Sequence, residues 1–151
     1  MSETHDFNDG YGPVPAHRHS NGGGWVADTA HVDASAYVGP QAKVFHDARV
    51  LGNTQIRDNA RIYRRAIIFG NATIGGNAWI SGNAQIDCFA QIFGNAEVYG
   101  DAKISGTAQV FDNALVCGNA QIGGRAKVIN DAKVYGDSQW YGDAPIYGAK
   151  A

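Results

Sequence analysis

Arginine and aromatic residues that could hold an anion are concentrated between positions 49 and 89. Arg64 and Arg65 form the only double-basic pair in the repetitive part of the chain, Arg49 precedes them, and Phe69 and Phe89 follow. A guanidinium group pairs bidentately with phosphate, and an aromatic ring stacks on a base. These residue types therefore predict a site for a small anionic ligand such as a nucleotide, provided that the fold brings the five residues together.

Histidine is the second candidate for chemistry. His31 and His46 are the only histidines after residue 24, and His46 stands next to Asp47. A carboxylate can polarise an imidazole into a general base, so His46 is a catalytic candidate, although such pairs are also common on surfaces without catalysis. His17 and His19 lie in the N-terminal segment. Zinc needs three or four convergent ligands, so the sequence predicts no metal and no cofactor.

The elements that must position these residues follow a period of six. Every sixth residue from Val26 to Ile146 is Val or Ile, apart from Trp140, and Ala stands two positions before most of them. Side chains alternate across a strand, so the β-branched residue and the Ala point to the same side. Gly and then Asn or Asp follow the β-branched residue, which is turn chemistry. Each hexad therefore predicts a short strand and a bend, and such units bury their apolar side only by stacking.

The fourth hexad position, counted from the Val or Ile, is usually Asn or Asp. Because these residues tolerate positive φ, we expect the left-handed residue of each bend at this position. Arg65, Phe89 and Arg125 occupy it instead. A bulky side chain in a left-handed bend costs energy, and such strain gathers at functional sites, unless these bends adopt another turn type.

The hexads, for example Val98-Tyr99-Gly100-Asp101-Ala102-Lys103, resemble the left-handed parallel β-helix family built on hexapeptide repeats. The resemblance covers residues 25–150 and is closest to the Gly-Asn-Ala-rich hexapeptide proteins of bacteria and phages. It implies three hexads per triangular coil, hence about seven coils of 18 residues, and a parallel homotrimer. It also implies that outward aromatic ladders, such as Phe93-Phe111-Ile129-Tyr147 and Phe45-Tyr63-Tyr99-Tyr135, lie at subunit interfaces.

The domain organisation predicted is an irregular N-terminal arm over 1–24, rich in Gly and Pro, and a β-helix over 25–151. The last coil carries Trp140, Tyr141 and Tyr147, which suggests that trimers pair end to end through it. Cys88 and Cys117 fall in different coils, and two unpaired thiols suit a reducing, cytoplasmic location. The net charge of −2 predicts no affinity for nucleic acid polymers, and no stretch is long and apolar enough for a membrane span.

Three functions stay open. The first is a non-enzymatic protein that sequesters or senses a small anionic ligand in clefts between the subunits of a trimer. The second follows from the resemblance, because many hexapeptide proteins are acyltransferases that use acyl-CoA and a catalytic histidine. That role would fall to His46 here. In those enzymes the histidine lies on the helix or on an extruded loop, and no such loop interrupts this helix. The third is a structural or protein-interaction solenoid, since a fold of this kind does not choose its own function.

Overall fold

The chain winds through three sheets in turn, one short strand to each hexad. The computed structural model describes residues 3–150, and Met1, Ser2 and Ala151 lie outside the described residues. The fold is an all-β solenoid of about seven turns with a period of 18 residues. Between residues 25 and 146, neighbouring strands of a sheet are parallel, with residues 18 apart in sequence opposite each other, as in Ile68↔Ile86.

The strands are grouped here by sheet, and the outer surfaces of sheets A, B and C are called faces A, B and C. Sheet A contains β1 (Glu3–His5), β2 (Val14–Arg18), β3 (Trp25–Ala27), β6 (Lys43–Val44), β9 (Arg61–Ile62), β12 (Trp79–Ile80), β15 (Glu97–Val98), β18 (Leu115–Val116), β21 (Lys133–Val134) and β24 (Ala149–Lys150). Sheet B contains β4 (His31–Val32), β7 (Arg49–Val50), β10 (Ile67–Ile68), β13 (Gln85–Ile86), β16 (Lys103–Ile104), β19 (Gln121–Ile122) and β22 (Gln139–Trp140). Sheet C contains β5 (Tyr37–Val38), β8 (Gln55–Ile56), β11 (Thr73–Ile74), β14 (Gln91–Ile92), β17 (Gln109–Val110), β20 (Lys127–Val128) and β23 (Pro145–Ile146).

The β-branched residue of each strand fills the inside of the solenoid. Ile68 and its neighbours above and below, Val50 and Ile86, are fully buried, as are the alanines two positions before them in the hexad. Burial of one such side chain contributes about 1.5–3 kcal/mol. The hexad pattern is therefore the sequence signal for a continuous core that no single coil could form.

The left-handed residue of each bend is the third of the hexad and not the fourth. Between residues 46 and 136 every third hexad position has positive φ, and most are glycine. The exceptions are His46, Asp58, Arg64, Cys88, Asp112 and Asn130. The expectation of a left-handed fourth position was therefore wrong, and with it the strain expected at Arg65, Phe89 and Arg125. Gly and Asn both tolerate positive φ, so composition alone could not tell which of the two adjacent positions adopts it.

The preference for Asn at the fourth hexad position has a different cause. Between sheets C and A, the Asn59 amide donates to Asn77 Oδ1 at 3.3 Å, Asn77 donates to Asn95 at 3.2 Å, and Asn95 donates to Asn113 at 3.2 Å. Asn113 continues the ladder to the Asp131 carboxylate at 3.1 Å. Each coil is thus tied to the next by side chains as well as by backbone.

The N-terminal arm is not irregular, contrary to expectation. β1 and β2 form an antiparallel hairpin, and β2 pairs with β3 in the register Arg18↔Trp25. Sheet A consequently has ten strands, whereas sheets B and C have seven each. The pairing satisfies the backbone groups that β3 would otherwise expose at a sheet edge, and it carries the loop between β1 and β2 onto face A.

Candidate functional site

The double-basic pair lies at the bend that leads from sheet A to sheet B, called corner AB here. Arg64 and Arg65 precede β10, and both side chains are exposed. Neither guanidinium group has a hydrogen-bond or ion-pair partner among residues 3–150. Arg64 has a φ of 60°, whereas Gly82 and Gly100 occupy its place in the next two coils. A non-glycine residue in this conformation costs about 1–2 kcal/mol, so corner AB is strained where its unpaired charge lies.

Arg49 adds a third positive charge on face B. It lies on β7, opposite Ile67 of β10, so it is close to the strand that follows Arg64 and Arg65. Asp33 partly offsets its charge. The pKa of Asp33 lies below its ordinary value of 3.8, first because its carboxylate accepts the Gly52 N–H, then through His31, with a smaller contribution from Arg49.

The two phenylalanines lie toward the other side of face B. Phe69 is half-buried just after β10, and Phe89 is 60% exposed at the bend between sheets B and C, called corner BC. Four residues of extended chain, about 13 Å, separate Arg65 from Phe69. No ring of this pair contacts an arginine among residues 3–150. Within one chain the structure therefore groups Arg49, Arg64 and Arg65 at one edge of the face and the two rings at the other.

His46 lies one coil above Arg64 and has a partner that the sequence did not predict. Its Nε2 lies 2.8 Å from Asp9 Oδ2 of the arm, not against the adjacent Asp47. The pKa of Asp9 is held below its ordinary value of 3.8, chiefly by the Tyr11 N–H and then by His46. The imidazole is also packed edge-on against Phe45, with ring centroids 4.9 Å apart. His46 thus joins the arm to the solenoid.

The arm covers the upper half of the aromatic ladder on face A. Phe7 is 1% exposed and stacks on Phe45 with ring centroids 4.8 Å apart, and Phe45 stacks on Tyr63 at 5.0 Å. Arg61 donates to the Phe7 carbonyl, and its guanidinium lies 5.3 Å from the Trp79 ring centroid. Part of the ladder expected at a subunit interface is therefore covered by the chain's own arm. The sequence does contain a signal for the β1–β2 hairpin. Phe7 and Val14 are apolar residues on either side of a Gly- and Pro-rich turn, a pattern typical of hairpins.

His5 lies inside this arm contact. Its ring stacks on Trp25 with centroids 4.4 Å apart, and its buried Nε2 has no hydrogen-bond partner. Burial lowers the pKa of His5 below its ordinary value of 6.5, and the positive charges of Lys43 and Arg18 lower it further. Neutral His5 therefore favours the docked arm.

Residues 3–150 contain no group of three or more His, Cys, Asp or Glu side chains placed to hold a metal ion. Within the same range no helix is long and apolar enough to span a bilayer. Cys88, at corner BC, and Cys117, on face A, are free thiols.

Comparison with known proteins identifies one segment of the chain. Residues 108–124 match the family model described as the YdcK beta solenoid repeat. This segment is a YdcK-type β-solenoid repeat. No curated protein and no solved structure matches the chain. The YdcK-type repeat spans slightly less than one coil and includes β17, β18 and β19. It contains none of the candidate site residues, so the YdcK-type likeness bears on the fold alone.

Proposed function

We propose that this protein is a non-enzymatic binding protein that sequesters or senses a small anionic ligand, such as a nucleotide, between the subunits of a homotrimer of left-handed solenoids. The observation that carries the proposal is corner AB. There the chain has an arginine in a left-handed conformation, where the next two coils have glycine, and both guanidinium groups are unpaired within the described residues. Glycine would cost less at Arg64, so a role for its side chain accounts for the strain.

The chemistry of corner AB favours a phosphate-bearing ligand. Two adjacent guanidinium groups offer paired N–H donors that match phosphate oxygens, and Arg49 adds positive charge from the neighbouring strand. The rest of the chain supplies no general excess of positive charge, since its net charge is −2. A small anion bound at this one corner fits that distribution better than a long polyanion does.

A second subunit would complete the site. Within a chain, corner AB lies at one edge of face B, and the rings that could stack on a base, Phe69 and Phe89, lie toward the other edge. Corner BC of a neighbouring prism could bring its Phe89 against corner AB in a parallel trimer. The exposed aromatic residues of face A below the arm, Trp79 and Tyr135, are 44% and 43% exposed and offer apolar area for such an interface.

Catalysis is not part of this proposal, and the histidine that could supply it, His46, joins the arm to the solenoid. Its Nε2 is engaged by Asp9, and no second histidine accompanies it at corner AB among the described residues. The acyltransferase alternative stays a prediction with its own test: acetyl-CoA turnover that is removed by His46→Ala would replace the binding proposal.

The proposal is tested by native mass spectrometry of the untreated protein, followed by calorimetric titration with ATP and with pyrophosphate. We expect a trimer, and we expect Arg65→Ala to weaken binding by roughly 10- to 100-fold, because a hydrogen bond to a charged group contributes about 1.5–3 kcal/mol. Arg125→Ala is the matched control, because Arg125 occupies the same hexad position at corner BC. Equal affinity in the two variants, or no binding by the wild-type protein, would contradict the proposal.

The structural, protein-binding alternative is favoured by one specific observation, the row of exposed rings on face A below the arm. Tyr99 is 39% exposed and continues the row between Trp79 and Tyr135. Capture of a partner protein that depends on these rings, by a trimer that binds no nucleotide or acyl-CoA, would select this alternative.

A further inference from the structure

A groove lies on face C, around β5 and β8. Its volume is about 780 Å³, which lies within the range of about 300–1,000 Å³ typical of small-molecule sites. The groove is open to solvent along one side. It is lined by Asn21, Ser35, Tyr37, Gly39, Pro40, Gln41, Asn53, Thr54, Gln55, Arg57 and Asp58.

The lining is polar but close to neutral. Four of its side chains are carboxamides: Asn21, Gln41, Asn53 and Gln55. A carboxamide offers both N–H donors and an oxygen acceptor, which suits hydroxyl groups on a ligand. The charged side chains are one arginine and one aspartate, adjacent in sequence, so their charges cancel.

Several of these polar groups are held in place before any ligand arrives. Arg57 Nε donates to Gln55 Oε1 at 2.8 Å, which fixes both side chains side by side. Asp58 has a φ of 53°, and its Oδ2 accepts the Gly76 N–H at 2.9 Å. The side chains of Gln41 and Asn53 make no hydrogen bond within the described chain and remain available to a ligand.

Tyr37 supplies the aromatic wall of the groove. A Cβ atom on Gly39 would lie 3.4 Å from Tyr37 Cε1, and one on Gly22 would lie 2.9 Å from Tyr37 Cε2. The Tyr37 ring therefore lies between the backbones of two glycines, and a side chain at either glycine would crowd it. A ring that is already immobilised offers apolar contact without losing rotamer freedom on binding. Pro40 adds a second apolar ring to the lining.

We propose that this groove binds a neutral saccharide. Carboxamides together with a fixed arginine and aspartate match the alternating donors and acceptors of sugar hydroxyls, and the Tyr37 ring matches the C–H face of a pyranose. A phosphate ligand fits poorly, because the single guanidinium is bonded to Gln55 and stands beside a carboxylate. An apolar ligand fits poorly because Tyr37 and Pro40 are the only large apolar side chains in the lining.

The groove is separate from the proposed anion site. It lies on face C, whereas Arg64 and Arg65 lie at corner AB between the other two faces. Binding at either site can therefore be lost without loss of the other, and the two proposals fail independently.

Saturation-transfer-difference NMR tests the proposal, with maltohexaose, cellohexaose and chitohexaose as probes at about 1 mM, a concentration suited to weak binding. We expect signal transfer to at least one probe, and an affinity roughly 10-fold lower in Tyr37→Ala, as expected for loss of a stacked ring. Gln41→Ala is a second variant. It removes no hydrogen bond of the folded protein, because the Gln41 side chain makes none within the described chain, and it should lower the affinity for the same probe.

Tyr147→Ala is the matched control, because Tyr147 is an exposed tyrosine at the far end of the same face. It should leave the saccharide affinity unchanged. Three results would overturn the proposal: no transfer to any probe, transfer that persists equally in Tyr37→Ala and Gln41→Ala, or displacement of the probe by inorganic phosphate at equal concentration.

Discussion

Replacing Phe7 by alanine should detach the N-terminal arm from face A while leaving the solenoid folded. Phe7 is 1% exposed and belongs to a small apolar cluster with Ala16, Ala27 and Phe45 that is separate from the interior of the solenoid. The other side-chain links between arm and solenoid include the Asp9–His46 pair and the stacking of His5 on Trp25, but Phe7 is the largest arm side chain that is fully buried. The ring of Phe7 is therefore the main apolar anchor of the arm.

The size of the effect follows from its burial. Truncation of a buried phenylalanine to alanine costs about 3–5 kcal/mol. We take the lower end, about 3 kcal/mol, because the cluster is small and Phe45 can partly close over the space. At about 1.4 kcal/mol for each factor of ten, the population of the undocked arm should rise roughly 100-fold. The β1–β2 hairpin should loosen with it, because an isolated hairpin is marginal in water.

Hydrogen exchange followed by mass spectrometry measures this directly. Peptides that cover residues 3–18 should exchange faster in Phe7→Ala by about the same factor, because local opening sets their protection. Peptides from the lower coils, such as those around Ile104, should keep their protection, and the thermal unfolding of the solenoid should shift little. The circular dichroism melting curve checks the last point.

Phe111→Ala is the control. Phe111 stacks on Phe93 at 5.7 Å on face C and does not touch the arm. It should leave exchange in residues 3–18 unchanged. Unaltered arm protection in Phe7→Ala would refute the anchor role of this ring, and equal loss of protection in arm and solenoid would refute their energetic separation.

Three further predictions follow from the same structure. The pKa of His5 is lowered in the folded protein, so its contribution to arm docking is present above pH 6.5 and is lost as the pH falls below 6.5 and through the lowered value. The protection factors of the arm amides, which correct for the pH dependence of intrinsic exchange, should therefore fall below pH 6.5 in the wild-type protein and not in His5→Phe. Gly82 has a φ of +65°, and a Cβ atom added there would lie 2.7 Å from the backbone of the next coil. Gly82→Ala should therefore lower the free energy of unfolding, measured by denaturant titration, by about 2 kcal/mol. A Cβ atom on Gly142 would meet nothing within 4 Å, so Gly142→Ala should keep nearly the wild-type free energy of unfolding. Asn95→Ala interrupts the amide ladder and should lower the free energy of unfolding by about 1 kcal/mol in the same assay. Asn71 occupies the equivalent hexad position outside any ladder, so Asn71→Ala should lower it by less.

The regular part of the fold follows from residues whose spacing repeats. The six-residue interval between Val38, Val44 and Val50 predicts one strand on each of three sheets, and the structure has them on β5, β6 and β7. The interval of 18 residues places Ile56 directly below Val38. Periodicity suffices here because each side chain meets its own equivalent in the next coil.

The arm contacts could not be derived in that way. Phe7 lies outside the hexads, 38 residues before Phe45, so no repeat relates the two residues. Asp47 is the acidic neighbour of His46 in sequence, yet Asp9 is the partner in space, because the left-handed bend at His46 turns its side chain toward the arm. The same limit applies to the groove on face C, where Tyr37 and Arg57 become visible as a pair only once the coils are stacked.

Because paired residues are 18 apart, deletion of a whole coil leaves every later strand on its own sheet, whereas deletion of a smaller segment does not. Removal of residues 77–94 would bring Val98 into the place of Ile80 and leave every later strand on its own sheet. Removal of only residues 77–82 would bring Ile86 there instead, and everything beyond it would move to the neighbouring sheet. The core would accept either change, since each hexad between residues 84 and 134 contributes the same pair of inward side chains, an Ala and a Val or Ile. The outer surface would change with the shorter deletion. The fold would stay the same, but the outward aromatic, amide and charged side chains of the later coils would each move to a different face.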